Sequence, residues 1–264
     1  TVTPSLVKYT VDSLDDSGSV VGKLGAANTI GSILGTFLPT FVTIPAVGTA
    51  VTFLIFSGIL LVIGLAYFLS GRTHRRGCAA ALAAFVLCSV FGHSGSFAFW
   101  EKDLLYEGES IYNYLQVKET DQAVVLSTNV LFGVQSMKMK SGGLTGMYYD
   151  YALAGPVMAG LAEKGGGRIL ILGNGTGTYA AQCRTYFPEA AVTGVEIDGK
   201  ITELADRYFD MPEDVEVSTY DGRAYLQAVD DRYDVILVDA YQDITIPFQM
   251  STVEFFTLVR EHLA

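Results

Sequence analysis

The sequence predicts an α-helical transmembrane segment joined to an α/β domain of the Rossmann-like kind, with a small antiparallel β region between the two. Three observations carry this. Uncharged stretches fill most of the first hundred of 264 residues, an apolar run at 169–172 opens directly into a glycine-rich loop, and apolar runs then alternate with helical patterns towards the end of the chain.

The apolar part comes first. Leu24–Ile44, Ala46–Leu69 and Gly77–Phe99 contain no charged residue, and each exceeds the roughly 20 residues that cross the hydrocarbon of a bilayer as a helix. They predict a transmembrane region over residues 1–100 with about three helices. Gly31 and Gly35 stand at GxxxG spacing before Pro39. That spacing lets a second helix approach closely, although glycine is common in membrane helices in any case. The turn at Pro45–Gly48 predicts an antiparallel helix pair. Arg72, Arg75 and Arg76 follow the second stretch, and the positive-inside tendency puts that loop in the cytoplasm. A complete third crossing would then carry everything after Trp100 outward, against the needs of a cytosolic cofactor. A multi-pass cell-membrane location is expected, with the side of the α/β domain left open and membrane lipid as a partner.

Composition separates the two parts. The chain is 50% hydrophobic, 17% charged and has a mean hydropathy of +0.35. Residues 1–99 carry five Lys/Arg against three Asp/Glu, whereas 100–264 carry twelve against twenty-five. An acidic domain disfavours nucleic acid, whose phosphates need clustered cations; it suits a cationic substrate, although an acidic surface is also simply a solvated one. Cys78, Cys88 and Cys183 show no CxxC spacing, and His74, His93 and His262 are scattered. No metal site, disulfide framework or histidine triad is expected. The chain begins at Thr1 without an initiator Met or signal-peptide pattern and stops at Ala264 inside a helical pattern, which points to a fragment with an α/β domain incomplete at its C-terminus.

Between 101 and 147, short runs around Ile111, Tyr112, Tyr114, Leu115, Val117 and then 123–126 predict small antiparallel strands. Residues 148–164 begin the third region, 148–264, with a helix over Tyr148–Glu163, and Gly165–Gly167 form a break. Strands are expected at Arg168–Leu172, Ala191–Ile197, Val215–Thr219 and Tyr233–Val238, with helices between, in a parallel doubly wound sheet.

The strongest local signal is ILILGNGTGT at 169–178, a strand running into Gly173, Gly175 and Gly177 and then a helix. Glycine allows the tight turn and the close approach of backbone to ligand, and the helix offers its first N–H groups. Glu196, nineteen residues after Gly177 at the end of the next strand, can accept both ribose hydroxyl hydrogens of an adenosine. Asp221 follows the third strand, placed either to meet an adenine amino group or to N-cap the helix from Gly222. Asp239 ends the fourth. Four successive strands thus deliver polar groups to one sheet edge, the place where open α/β folds bind ligands.

With these residues in order, the chain resembles the spermidine synthase (polyamine aminopropyltransferase) family, most closely its bacterial members fused behind a multi-spanning membrane region. VGKLGAANTIGSILGTFLPTFVTIPAVG is similar to a late membrane helix of that group, LYEGESIYNYLQV to the first strands of the synthase, and ILILGNGTGT, GVEID, YDGRAYL and YDVILVDAYQDITIP to its nucleotide and catalytic segments. The resemblance implies the S-adenosylmethionine-dependent methyltransferase fold. It implies that Gln135 contacts the amino-acid side of the cofactor, that the loop of Gly173, Gly175, Thr176 and Gly177 holds it, and that Glu196 and Asp221 bind ribose and adenine. It implies that Asp239 deprotonates and orients the attacking amine. Most members carry an aspartate where this chain has Thr176, Tyr-His-Glu where it has Tyr149, Asp150 and Tyr151, and a second aspartate at the position of Gln242, with Asp243 one step further.

The activity implied is transfer of an aminopropyl group from decarboxylated S-adenosylmethionine to a diamine such as putrescine, without a metal. Asp150 and Asp243 are candidate ammonium anchors, and Tyr149 and Tyr241 either line the methylene channel or simply pack. The alternatives are a methyltransferase using intact S-adenosylmethionine, which Thr176 favours, and a polyamine transport or sensing protein without turnover. A small polyamine is the expected substrate, and a second copy of the chain is admitted as a partner.

Overall fold

The computed structural model describes residues 2–11, 17–71, 74–91, 101–129, 133–241 and 245–264. The chain divides into two compact units, Thr1–Phe97 and Ala98–Ala264.

The first unit is helical: α1 (Val2–Thr10), α2 (Ser17–Leu38), a π-helical turn at Pro39–Thr43, α3 (Ile44–Ser70) and α4 (Arg75–Phe91). Proline at 39 has no N–H to give to the preceding turn, and the ladder widens there, so that the Ile44 amide bonds to the Pro39 carbonyl. Helical structure continues through Pro45 and breaks at Gly48, whose φ of 80° and ψ of 170° are non-helical. The break is stitched by Thr52, whose hydroxyl donates to the Gly48 carbonyl at 2.8 Å and lies within hydrogen-bond distance, 3.1 Å, of the Thr43 hydroxyl. The expected turn at Pro45–Gly48 is therefore a kink at its last residue. Among the described residues one helical stretch, Ser17–Ser70, is long and apolar enough to cross a bilayer. Helix α4 has 17 residues and ends at Phe91; the rest of the expected third span lies outside the described residues, as do Arg72 and His93. A Cβ at Gly31 or Gly35 would meet nothing within 4 Å, so among the described residues no element packs on the GxxxG face.

The second unit holds two sheets. β1 (Leu104–Glu109), β2 (Tyr114–Glu119), β3 (Ala123–Thr128) and β4 (Ser136–Met139) form an antiparallel meander in sequence order. Ile111 and Tyr112, expected in a strand, sit in the β1–β2 turn. β5 (Gly167–Leu172), β6 (Ala190–Glu196), β7 (Glu216–Thr219) and β8 (Val235–Val238) form a parallel sheet in the order β7-β6-β5-β8. The chain winds outward from β5 to β7 and then returns to β5's other side, so the switch point lies between β5 and β8. The intervening helices are α8 (Thr178–Tyr186), α9 (Gly199–Tyr208) and α10 (Gly222–Ala228), and α11 (Val253–Glu261) follows β8.

Alternation along β5 explains the layering. Ile169 and Ile171 pack with Tyr149, Tyr179 and Cys183 on one face, whereas Leu170 and Leu172 pack with Leu226, Tyr233 and Phe255 on the other. Both faces are covered, as a central parallel strand requires. The meander buries Leu115, Val117 and Leu126 against Ile201, Leu204 and Phe209 from α9 and the residue after it. This fixes the small sheet beside the C-terminal edge of the parallel one.

Residues 148–163 do not form one helix. They break into α5 (Tyr148–Ala152), α6 (Ala154–Met158) and α7 (Leu161–Lys164), because Pro156 supplies no donor and Gly160 turns left-handed at φ 71°. Tyr233 contributes only an isolated bridge to Leu263, so β8 starts at Val235.

Gly173 is where the fold admits no other residue. Its φ is 93°, and a Cβ would lie 2.4 Å from the Asp239 carbonyl oxygen. The glycine loop and the end of β8 can approach each other only without a side chain there. Gly173→Ala is expected to cost at least about 2 kcal/mol, read as a lower urea midpoint by far-ultraviolet circular dichroism; an unchanged midpoint would show that the loop yields freely.

Candidate active site

At the C-terminal edge of the parallel sheet lies a cavity of about 510 Å³, reached by the ends of all four strands and by the meander. Gly173, Asn174 and Gly175 after β5 form part of its floor, Glu196 ends β6, Asp221 follows β7 and Asp239 follows β8.

Glu196 is 7% exposed, with both carboxylate oxygens oriented by backbone. Oε2 accepts from the Gly175 amide at 2.8 Å and Oε1 from the Asp198 amide at 3.0 Å. Burial pushes its pKa above the usual carboxylate range, and these two N–H groups oppose that shift. Each oxygen keeps a further lone pair. That is what a paired ribose contact requires.

Asp221 both lines the cavity and caps α10, accepting from the Ala224 amide at 2.8 Å. The two roles weighed for it are compatible, because one oxygen makes the cap and the residue still borders the space.

Asp239 lines the cavity, and its Oδ2 accepts from the Tyr148 hydroxyl at 2.6 Å. Burial raises the Asp239 pKa, and the Tyr148 hydrogen bond partly offsets the rise. Burial and the neighbouring carboxylate likewise push the Tyr148 phenol far up, so it stays a donor. Tyr148 was not among the residues read from sequence. The signal was the run Tyr148-Tyr149-Asp150 at the start of α5, in which the partner of Asp239 is the first tyrosine and not the second. Tyr149 borders the cavity with its ring 4.2 Å from that of Tyr148, while its hydroxyl donates to the Gln135 carbonyl at 2.7 Å. Burial pushes the Tyr149 phenol up to about 12. Gln135 and Tyr241 also line the cavity.

Asp150, a candidate ammonium anchor, is held away from the cavity by other donors. It does not border the cavity; its oxygens accept from the Thr145 amide and hydroxyl, the Gly146 amide at 2.7 Å and the Gln182 side chain at 2.6 Å. Burial raises its pKa, but the hydrogen bonds from Thr145, Gln182 and Gly146 outweigh this and hold it below the usual range. Its carboxylate ties the preceding loop to α8. Thr176 and Gly177 also turn away from the main cavity and border a smaller one of about 200 Å³. The Thr176 amide donates to the Ser136 hydroxyl at 3.3 Å, and the left-handed Gly177 starts α8 over the Met211 sulfur. Asn174, between the glycines, was missed. Asp243 and Gln242 lie outside the described residues.

Residues 149–264 match the model of the spermine/spermidine synthase domain. This part of the chain belongs to that family. The synthase domain is accompanied by curated relatives of the same kind. A probable polyamine aminopropyl transferase of Bifidobacterium longum (strain NCC 2705) is 61% identical over 199 residues, covering 75% of this chain and 44% of that protein. A polyamine aminopropyltransferase of Vibrio vulnificus (strain CMCP6) is 28% identical over 189 residues, covering 68% of this chain and 61% of that protein. Among solved structures, a probable spermidine synthase from Corynebacterium glutamicum ATCC 13032 superposes with a TM-score of 0.53 at 25% identity, over 60% of this chain and 59% of that one. The chain therefore spans less than two thirds of the length of each. The Bifidobacterium likeness is longer than the synthase unit Ala98–Ala264 and so runs into the helical unit.

Proposed function

We propose that the chain is the donor-binding and catalytic part of a membrane-attached polyamine aminopropyltransferase, which moves an aminopropyl group from decarboxylated S-adenosylmethionine to a diamine such as putrescine. The charge of the cavity carries this reading. Its described lining contains the carboxylates Glu196, Asp221 and Asp239 and no Lys, Arg or His. Intact S-adenosylmethionine brings a carboxylate, which would enter a site with no cation to pair it. The decarboxylated donor brings only a sulfonium and an ammonium, and the acceptor is a cation too. Such a site selects by electrostatic complementarity.

In the reaction the acceptor nitrogen attacks the propyl carbon bonded to sulfur. The C–N bond forms as the C–S bond breaks, and the electron pair stays on sulfur, which leaves as neutral methylthioadenosine. An alkylammonium with a pKa of roughly 10.4 is almost wholly protonated at neutral pH, so the nitrogen must lose a proton to become a nucleophile. Asp239 takes it. Tyr148 holds the carboxylate through Oδ2, so Asp239 meets the amine in a fixed orientation.

The same pair sets a pH dependence. Asp239 acts as a base only when ionised, so kcat/KM falls on the acid side as it protonates. The Tyr148 hydrogen bond lowers the Asp239 pKa; Tyr148→Phe removes that effect, and the acid limb is expected to move to higher pH. A profile unchanged in position would separate Tyr148 from the base.

Membrane attachment belongs to the same proposal. Helix α2 has 22 residues, and α3 runs unbroken from its kink at Gly48 to Ser70, about 33 Å in each case at 1.5 Å per residue, enough for hydrocarbon of about 30 Å. Helix α2 buries no side chain and α3 only Thr52, so Ile30, Phe37, Phe53 and Leu60 face outward. Lipid is the environment that such a surface fits.

Calorimetry on the detergent-solubilised protein tests the donor assignment. Decarboxylated S-adenosylmethionine is expected to bind at least tenfold more tightly than the intact form, and tighter binding of the intact form would favour methyl transfer.

A further inference from the structure

We propose that Asp198 is a positioning residue that latches the β1–β2 turn to the ribose acid and thereby sets donor affinity, a role that rests on reading the cavity as an adenosyl site. Asp198 is a carboxylate of 1% exposure. A buried carboxylate is costly unless donors surround it. Its Oδ2 accepts from the Ser110 hydroxyl at 2.5 Å and the Asn113 side-chain amide at 3.0 Å. Its Oδ1 accepts from the Lys200 amide at 3.1 Å and so caps α9. Its own N–H is the group that holds Glu196 Oε1.

The turn it grips is built to be gripped. The Ser110 hydroxyl accepts from the amides of Tyr112 and Asn113 at 3.0 and 2.9 Å, and donates its hydrogen to Asp198. Asn113 Oδ1 accepts from Asn129 at 2.8 Å, and Asn129, held left-handed at φ 50°, accepts from the Tyr114 amide. The β1–β2 turn and the end of β6 are thus joined through one carboxylate, and the end of β3 is tied to the same turn through Asn113. Tyr112 and Asn113 from this network, and Thr128 next to Asn129, line the cavity. The small sheet is accordingly a wall of the donor site, and its position and the orientation of Glu196 share one group. Asp198 touches no reacting atom, so its effect falls on binding and not on the chemical step.

Ser110→Ala tests this, because it removes one of the turn's two contacts with Asp198, the other being Asn113, and leaves the α9 cap and the Asp198 amide in place. Methylthioadenosine is the probe. Loss of one hydrogen bond to a charged group predicts about tenfold weaker binding by calorimetry, with donor KM raised in parallel and kcat within about twofold. Ser110→Thr, which keeps the hydroxyl, should restore affinity. The double variant Ser110→Ala with Asp198→Asn should bind no more weakly than Asp198→Asn alone, the non-additivity of a shared contact. Parental affinity in Ser110→Ala, or a fall in kcat at unchanged KM, would overturn the latch while leaving the adenosyl site standing. No nucleoside binding by the unaltered protein would overturn both.

Discussion

Asp239→Asn is expected to lower kcat by about 10²–10⁴-fold, the range that a positioned proton acceptor supplies, while methylthioadenosine affinity stays within about twofold. The amide has nearly the same shape, and its oxygen still accepts from Tyr148, so the side chain stays where Oδ2 was held at 2.6 Å from that hydroxyl. What it loses is the capacity to take the acceptor's proton. Burial disfavours the ionised form of Asp239, so a neutral side chain is expected to be tolerated there. Initial rates beside calorimetry separate these effects. A variant that retained the parental kcat would move the base elsewhere in the site.

Glu196→Gln is expected to act on the other quantity. Both oxygens of Glu196 accept backbone N–H groups, from Gly175 and Asp198. A carboxamide can satisfy one of these, and its NH₂ must then face the other donor inside a closed environment. An unsatisfied buried donor costs about 1–3 kcal/mol, and the charge-assisted contacts to ribose hydroxyls are lost as well. Together these predict nucleoside binding weaker by about 10²–10³-fold, with kcat at saturating donor changed far less. Equal binding by Glu196→Gln and the parent would mean that the ribose is held by other groups.

How far the sequence discloses this site depends on the range of the interactions. The four strand ends were legible because each acid or glycine follows an apolar run whose period and length identify a buried parallel strand, as with Ile169–Leu172 into Gly173. Glu196 and Asp239 were found that way. The single helix expected over 148–163 is broken at Pro156 and Gly160, two local breakers visible in the sequence. Asp150, beside Tyr149, is read from sequence as one candidate anchor for the ammonium. Its donors are Thr145 and Gly146 from the preceding loop and Gln182 from α8, which only the three-dimensional structure brings together. Tyr148 and Tyr149 are adjacent, and which of them faces Asp239 depends on the phase of a five-residue helix. Asp198 and Ser110, 88 residues apart in the chain, meet through packing of the meander on α9. No periodicity announces such a pair.

In the helical unit, hydropathy located the long apolar stretch, but the positions of its breaks came from backbone chemistry. The ladder widens at Pro39 and the helix kinks at Gly48, whereas the sequence placed a single turn at Pro45–Gly48.

The central claim is that an all-cationic donor and acceptor meet at Asp239 in a cavity lined by carboxylates. Incubating the purified protein with decarboxylated S-adenosylmethionine and putrescine, and identifying the nucleoside released, tests it most directly. Methylthioadenosine in equimolar amount with spermidine is the predicted result. Adenosylhomocysteine formed from intact S-adenosylmethionine, with no methylthioadenosine from the decarboxylated donor, would contradict it.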